Sequence, residues 1–363
     1  MTSLATPITL RSGATARNRL ALAPLTNQQS HSDGTISQDE HAWLERRAAG
    51  GFAIVETCAA HVSQDGQGFP GQLGVWGDHQ LPGLRALAAA IAGHGALSLV
   101  QLYHGGVRCP SALTGQQPWS ASEFDEPRPN FERPRPATPA DLARVLADFV
   151  AAARRSAAAG FHGVELHAAH GYLFSQFLSS AMNQRSDDWG GSLANRARLL
   201  RDVARAVRAA CPHPFTVGVR LSPEDFGHAR GIDLDETVQV AAWLAEDGLD
   251  FVHVSLWDGR KLSLKYPDRH PLPAFRAALP RDVAIIAAGK VWTEDDALAL
   301  LDHGADLVAI GRAAILNPDW PRRALAGPFE PERGPLTPAQ LRELAISDTF
   351  VEYLRNFRLV RDE

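Results

Sequence analysis

Two hydrophobic periods alternate along the chain. Apolar runs without two-residue alternation occupy 20–25, 52–57, 97–102, 163–167, 216–221, 249–255, 283–287 and 307–310. Runs of that length suit strands buried on both faces of a parallel sheet. Between them lie stripes at helical spacing, such as Leu142, Val145, Leu146, Phe149 and Val150, or Leu199, Val203 and Val207. The helices carry start and stop signals. Thr138, Pro139 and Asp141 read as N-cap, first turn and N3 of a helix that stops at Gly160, and Ser192 caps the next. A third runs from about Asp235 to Gly248, and a fourth, capped by Thr293 with Asp296 at N3, stops at Gly304.

Eight strands separated by helices predict an α/β fold, a single (β/α)8 TIM barrel spanning 1–363. A doubly wound open sheet gives a similar local pattern, but no GxGxxG loop opens a helix after the first strand to favour it. The irregular stretch is 104–137, rich in Pro, Gly and polar residues. It reads as a long loop or hairpin over the barrel mouth, because loops of this length are usually functional or disordered. Residues 337–363 read as a C-terminal helical tail.

Composition narrows the partners. Apolar residues make up 45% of the 363, and a formal charge of −5 leaves no electrostatic footprint for nucleic acid, so a small-molecule partner is expected. Cys58, Cys109 and Cys211 are odd in number and lack the paired spacing of a metal site or disulfide framework, which fits a reducing, cytoplasmic setting. Residues 1–10 lack a charged segment followed by an apolar one, and Gly93, His94 and Gly95 interrupt the alanine-rich stretch 84–100. Neither secretion nor membrane insertion is expected.

Active sites of TIM barrels gather at the C-terminal ends of the strands. Those ends are unusually polar here. Thr26 and Asn27 follow the first run, Glu56 and Thr57 close the second, Gln101 and His104 end the third, and Gly289-Lys290 and Gly311-Arg312 follow the last two. Glycine lets backbone N–H groups approach an anion and Arg312 adds a charged partner, so the last two ends suit phosphate, although each glycine alone reads as a turn residue. His167, His170 and Tyr172 can place two N–H donors and a phenolic proton around one polar atom. The same histidines, three apart, also fit a zinc pair, and any one ring alone fits a satisfied core residue. Arg220, beside Val217, Val219 and Leu221, needs an anionic partner, either a carboxylate such as Glu56 or a ligand. Gln101 either satisfies a buried backbone group or reads the edge of a heterocycle.

These residues carry a resemblance. Ala23-Pro24-Leu25-Thr26, Gln101-Leu102-Tyr103-His104-Gly105-Gly106 and His167-Ala168-Ala169-His170-Gly171-Tyr172-Leu173 resemble the Old Yellow Enzyme family. So do Gln176-Phe177-Leu178-Ser179, Asn183, Arg185, Asp187 and Trp189-Gly190-Gly191-Ser192, and the likeness runs from Asn18-Arg19 to Asn317-Pro318. It implies a TIM barrel with noncovalent FMN, NADPH or NADH as reductant, and an ene-reductase acting on small activated alkenes such as enones and enals. It further implies that Ala23, Pro24, Leu25, Thr26, Ala59, Gln101, Arg220, Gly289, Gly311 and Arg312 hold FMN. Within that set Thr26 would lie near the flavin C4 oxygen and N5, Gln101 on the pyrimidine edge and Arg220 against the charge of reduced flavin. His167 and His170 would hold the substrate carbonyl oxygen, and Tyr172 would protonate Cα.

The chain departs from the family pattern in two places. Val107 separates Gly106 from Arg108, where the family often has arginine directly after the glycine, so the cationic contact of that loop is expected to be displaced. Thr26 stands where one branch has cysteine; in that branch a C-terminal arginine reaches a neighbouring subunit, which makes Arg355 and Arg358 candidates in a homo-oligomer. Two rivals stay open: an FMN barrel of another class, such as a 2-hydroxy-acid oxidase, and a barrel that binds flavin without catalysis.

Overall fold

The computed structural model describes residues 3–126 and 130–362. Eight parallel strands close a barrel: β1 Leu20–Leu22, β2 Ile54–His61, β3 Leu97–Tyr103, β4 Gly163–Ala168, β5 Thr216–Leu221, β6 Phe251–Ser255, β7 Ala284–Ala288 and β8 Leu307–Ile310. Each pairs with the next, and β8 returns to β1. The helices between them are α1 Gln38–Ala49, α2 Leu81–Gly93, α3 Pro139–Ala158, α4 Leu193–Ala210, α5 Leu234–Glu246, α6 Leu272–Ala278, α7 Glu294–Asp302 and, after β8, α8 Trp320–Ala326.

Helix starts follow local chemistry. Thr138 accepts from the Asp141 amide while the Asp141 carboxylate accepts from the Thr138 amide, and Thr293 with Asp296 repeats the arrangement before α7. Each such box satisfies amides that a helix terminus leaves without partners. At α5 the cap is Asp233, two residues before the expected start, because its carboxylate accepts from the Asp235 and Glu236 amides.

Strand side chains alternate between two environments. Val217, Val219 and Leu221 join the apolar layer between barrel and helices, whereas Gly218 and Arg220 point inwards. Gly218 has a steric reason: a Cβ there would lie 2.2 Å from the Phe251 ring. The N-terminal end of the barrel is stopped by an antiparallel hairpin of Ile8–Thr9 and Thr15–Ala16, which sequence patterning did not reveal. Leu10 and Ala16 pack there with Ala53, Ile54, Leu99 and Phe251, and the Ser12 and Thr216 hydroxyls lie 2.7 Å apart. The polar interior therefore opens at the C-terminal strand ends.

The segment after β3 is a long loop, not a hairpin. Its short strands Trp119–Ser120 and Arg135–Pro136 pair in parallel, so the chain between them must cross over rather than turn back. Asp65 holds it by accepting from Trp119 Nε1, and Arg185 by donating to the carbonyls of Ala121 and Ala137. Among the described residues, no helix is long and apolar enough to cross a membrane.

Candidate active site

A cavity of about 700 Å³ opens at the C-terminal strand ends, and one of about 160 Å³ adjoins it. Pro24, Leu25, Thr26, Ala59, Gln101, His167, His170, Tyr172, Arg220 and Arg312 line the first. Ala23, Gly289 and Gly311 line the second, which shares Leu25, Arg220 and Arg312 with it. Every position that the resemblance assigns to FMN or to the substrate thus lines one or both of these adjoining cavities.

Below the larger cavity lies a buried polar network. Strand register sets Gln101 beside Glu165, and Arg220 between His167 and His253. Glu165 accepts from Gln101 Nε2 at 2.7 Å, and its other oxygen lies 2.7 Å from His253 Nδ1. Burial alone would raise Glu165, but His253, Arg220 and Gln101 pull it below the ordinary carboxylate range. Burial and the Glu165 charge push neighbouring Glu56 well up, so it keeps its proton and bonds to Glu165. The two carboxyls therefore share one negative charge opposite Arg220, and the expected partner Glu56 is only the neutral half of the pair. Glu56, Glu165 and His253 bring ligand-type atoms within 4.8 Å of one another, and they rather than His167 and His170 are the metal-like grouping among the described residues.

Arg220 donates from Nη2 to Ser255 Oγ at 3.1 Å, while its Nε has no protein partner. A buried donor without a partner costs about 1–3 kcal/mol. A polar ring with acceptors, seated between Arg220 and Gln101, would remove that cost. The two glycines after β7 and β8 differ. A Cβ on Gly311 would meet only Leu25 Cδ2 at 3.7 Å, so its missing side chain leaves room for a ligand. A Cβ on Gly289 would come within 2.7 Å of the Gly259 amide and 2.9 Å of Leu256, so packing alone explains that glycine.

The end of β4 holds three polar rings. The His167 centroid lies 5.0 Å from that of His170 and 4.9 Å from that of Tyr172. The turn that allows this is tight: His170 has φ +62° and Gly171 φ +75°, and a Cβ on Gly171 would strike the His228 carbonyl at 2.6 Å. The His170 amide is held by Ser222 Oγ at 3.0 Å. Burial, with nearby cations adding to it, pushes both imidazoles well below the ordinary histidine range, so both are neutral at physiological pH. His167 Nδ1 accepts from the Ala169 amide at 3.3 Å, which puts its single N–H on Nε2.

Arg108, after the extra residue, reaches the end of β4. Its guanidinium lies 4.6 Å from the Tyr172 ring centre and donates to the His170 carbonyl at 3.2 Å. No described residue of 104–137 lines the two cavities, although Arg108 of that segment touches Tyr172 and His170. Cover comes instead from Phe226 and Trp257 and from Phe350, Tyr353, Leu354, Phe357 and Leu359 of the C-terminal segment. Sequence reasoning missed these residues, and Tyr353 with them, whose hydroxyl bonds to Thr26. Lys290, named at the β7 strand end but given no role, follows Gly289 at φ +51° and lines both cavities. Arg355 pairs within its own chain with Glu352 and Asp362, and neither it nor Arg358 lines the cavity.

Residues 3–328 match the sequence model of the NADH:flavin oxidoreductase / NADH oxidase family. The probable NADH-dependent flavin oxidoreductase YqiG of Bacillus subtilis (strain 168) is 38% identical over 322 residues, covering 86% of this chain and 85% of that protein. An NADH:fumarate oxidoreductase of Klebsiella pneumoniae (strain 342) is 36% identical over 88% of this chain, which spans only 36% of that protein. The structure of an Old Yellow Enzyme homologue from Zymomonas mobilis superposes with a TM-score of 0.82 at 28% identity, covering 97% of this chain and 99% of that one.

Proposed function

The chain belongs to the NADH:flavin oxidoreductase / NADH oxidase family as an FMN-dependent NAD(P)H oxidoreductase of the Old Yellow Enzyme type, and from that premise we propose that it is an ene-reductase. The observation that carries this reading is the meeting of His167, His170 and Tyr172 beside Thr26 and Arg220 in one cavity.

Bound FMN supplies hydride transfer, first from the nicotinamide and then to Cβ of the alkene. The residues do the rest. Arg220, facing the single charge of the Glu56–Glu165 pair, would balance the negative charge of reduced flavin, and Gln101, fixed by Glu165, would offer its amide to the ring. Thr26 lies in the cavity beside Tyr353, and Gly311 with Arg312 leaves a charged, open place for phosphate. His167 and His170 hold the carbonyl oxygen as its charge grows, an oxyanion-hole role for two neutral donors. Tyr172 delivers the proton to Cα.

The substrate class is an alkene conjugated to a carbonyl or carboxyl group, in keeping with a relative named for fumarate. The chain reads as one barrel domain, and its three buried free cysteines suit a reducing compartment. Steady-state turnover of 2-cyclohexenone with NADPH and with NADH tests the reading. Saturated ketone formed in step with nicotinamide oxidation is the expected result. Nicotinamide oxidation that consumes oxygen and leaves the enone untouched would overturn it.

A further inference from the structure

His170 is neutral and carries one N–H, so which nitrogen bears it decides whether the ring can donate to a substrate oxygen. Its Nε2 lies 2.8 Å from Ser255 Oγ. That hydroxyl is buried at the end of β6 and lines the cavity, and it also receives Arg220 Nη2 at 3.1 Å. A guanidinium can only donate, so Arg220 occupies one lone pair of Ser255. If Nε2 also donated, the hydroxyl proton would be left without an acceptor among the described residues. The arrangement that satisfies all three groups has Arg220 donating to Ser255 and Ser255 donating to His170 Nε2.

We propose that Ser255 is a positioning residue that fixes His170 as its Nδ1–H tautomer and so aims a hydrogen-bond donor at the substrate oxygen. His167 is set the other way, because the Ala169 amide claims its Nδ1 and leaves Nε2–H. The two histidines thus present opposite nitrogens, each selected by a separate partner. Ser255 also joins Arg220, on the flavin side, to His170, on the substrate side, through one hydroxyl. The inference rests on the reading of this strand end as the carbonyl site.

Holoenzyme labelled with 15N-histidine tests it. Long-range 1H–15N spectra, assigned with His170→Gln, should show a protonated Nδ1 on His170 in the unchanged protein and a shift towards Nε2–H in Ser255→Ala. Affinity for 4-chlorophenol, read from its charge-transfer band, should fall roughly ten- to hundredfold in Ser255→Ala, as for the loss of one hydrogen bond to a charged oxygen. Ser255→Thr keeps the hydroxyl, with the cavity open to its extra methyl, and should restore both readouts. An Nε2–H signal on His170 in the unchanged protein, or a Ser255→Ala variant with unaltered tautomer and phenol affinity, overturns the proposal. Unaltered phenol affinity in His170→Ala overturns the carbonyl-site reading instead, while the tautomer spectrum still decides the part played by Ser255.

Discussion

The guanidinium of Arg108 lies over the ring of Tyr172, 4.6 Å from its centre, and Tyr172 in turn lines the cavity. Tyr103 packs edge-on against the same ring at 4.5 Å between centroids. A cation over an aromatic face contributes about 0.5–2 kcal/mol, enough to hold one ring orientation.

Tyr172→Phe removes the proton but keeps this packing. Stopped-flow reduction of the flavin by NADPH should stay within about twofold, since that step needs no proton from the residue, while alkene reduction slows by about 10²–10⁴-fold, the usual worth of a positioned general acid. Arg108→Ala should slow alkene reduction less, through a looser ring. Equal losses in both half-reactions of Tyr172→Phe would make the residue structural.

His167→Ala and His170→Ala should each lower the rate of alkene reduction by about 10²–10³, as for other oxyanion donors. The double variant should lose less than the product of the two, because groups acting on one atom as a unit are not additive. Single-turnover rates with an enone decide it, and full multiplicativity would show that the two rings act on different atoms.

Gly311 and Gly289 should separate binding from folding. Gly311→Ala fills space left open beside Leu25, so FMN affinity should fall with little change in the melting temperature of the flavin-free protein. Gly289→Ala forces a methyl against the Gly259 and Leu256 backbone, so the flavin-free protein itself should melt lower. Flavin fluorescence titration and calorimetry measure the two effects, and the same melting loss in both variants would remove the distinction.

Acid should weaken the fold partly through His61. Burial lowers it to about 4, with His104 nearby adding to the effect and the Ser63 carbonyl opposing it. Because the unfolded histidine titrates near 6.5, the folded state binds this proton more weakly, so its contribution is complete above about pH 6.5 and lost as the pH falls towards 4. The loss amounts to roughly 3 kcal/mol over that window. Urea unfolding at pH 7.5 and pH 5 should show a smaller drop for His61→Gln than for the unchanged protein, and an identical drop would place the acid sensitivity elsewhere.

The fold was largely legible because its signals are local. Apolar runs bounded by Thr138 with Asp141, or by Thr293 with Asp296, encode strand and helix ends within a few residues, and the rule that chemistry sits at C-terminal strand ends then gathers Thr26, Gln101, His167, Arg220 and Arg312 without any contact being known. Local patterns do not encode the direction in which a covering segment travels. Residues 104–137 looked like a lid by composition, but Asp65 and Arg185 bond Trp119, Ala121 and Ala137, and none of the described residues of that segment lines the cavity, whereas the C-terminal segment does.

By itself the sequence determined the barrel, its helix caps and the identity of nearly every polar group at its mouth, since each follows from short-range backbone geometry and hydrophobic period. Only the tertiary structure decided which of those groups bond. Gln101 finds Glu165 across 64 residues, His170 finds Ser255 across 85 and His253 finds Glu165 across 88. Such pairings arise from barrel closure and strand register, which set inward-facing groups of adjacent and next-but-one strands at one level. There burial makes each charge and each proton depend on the neighbour that the fold supplies.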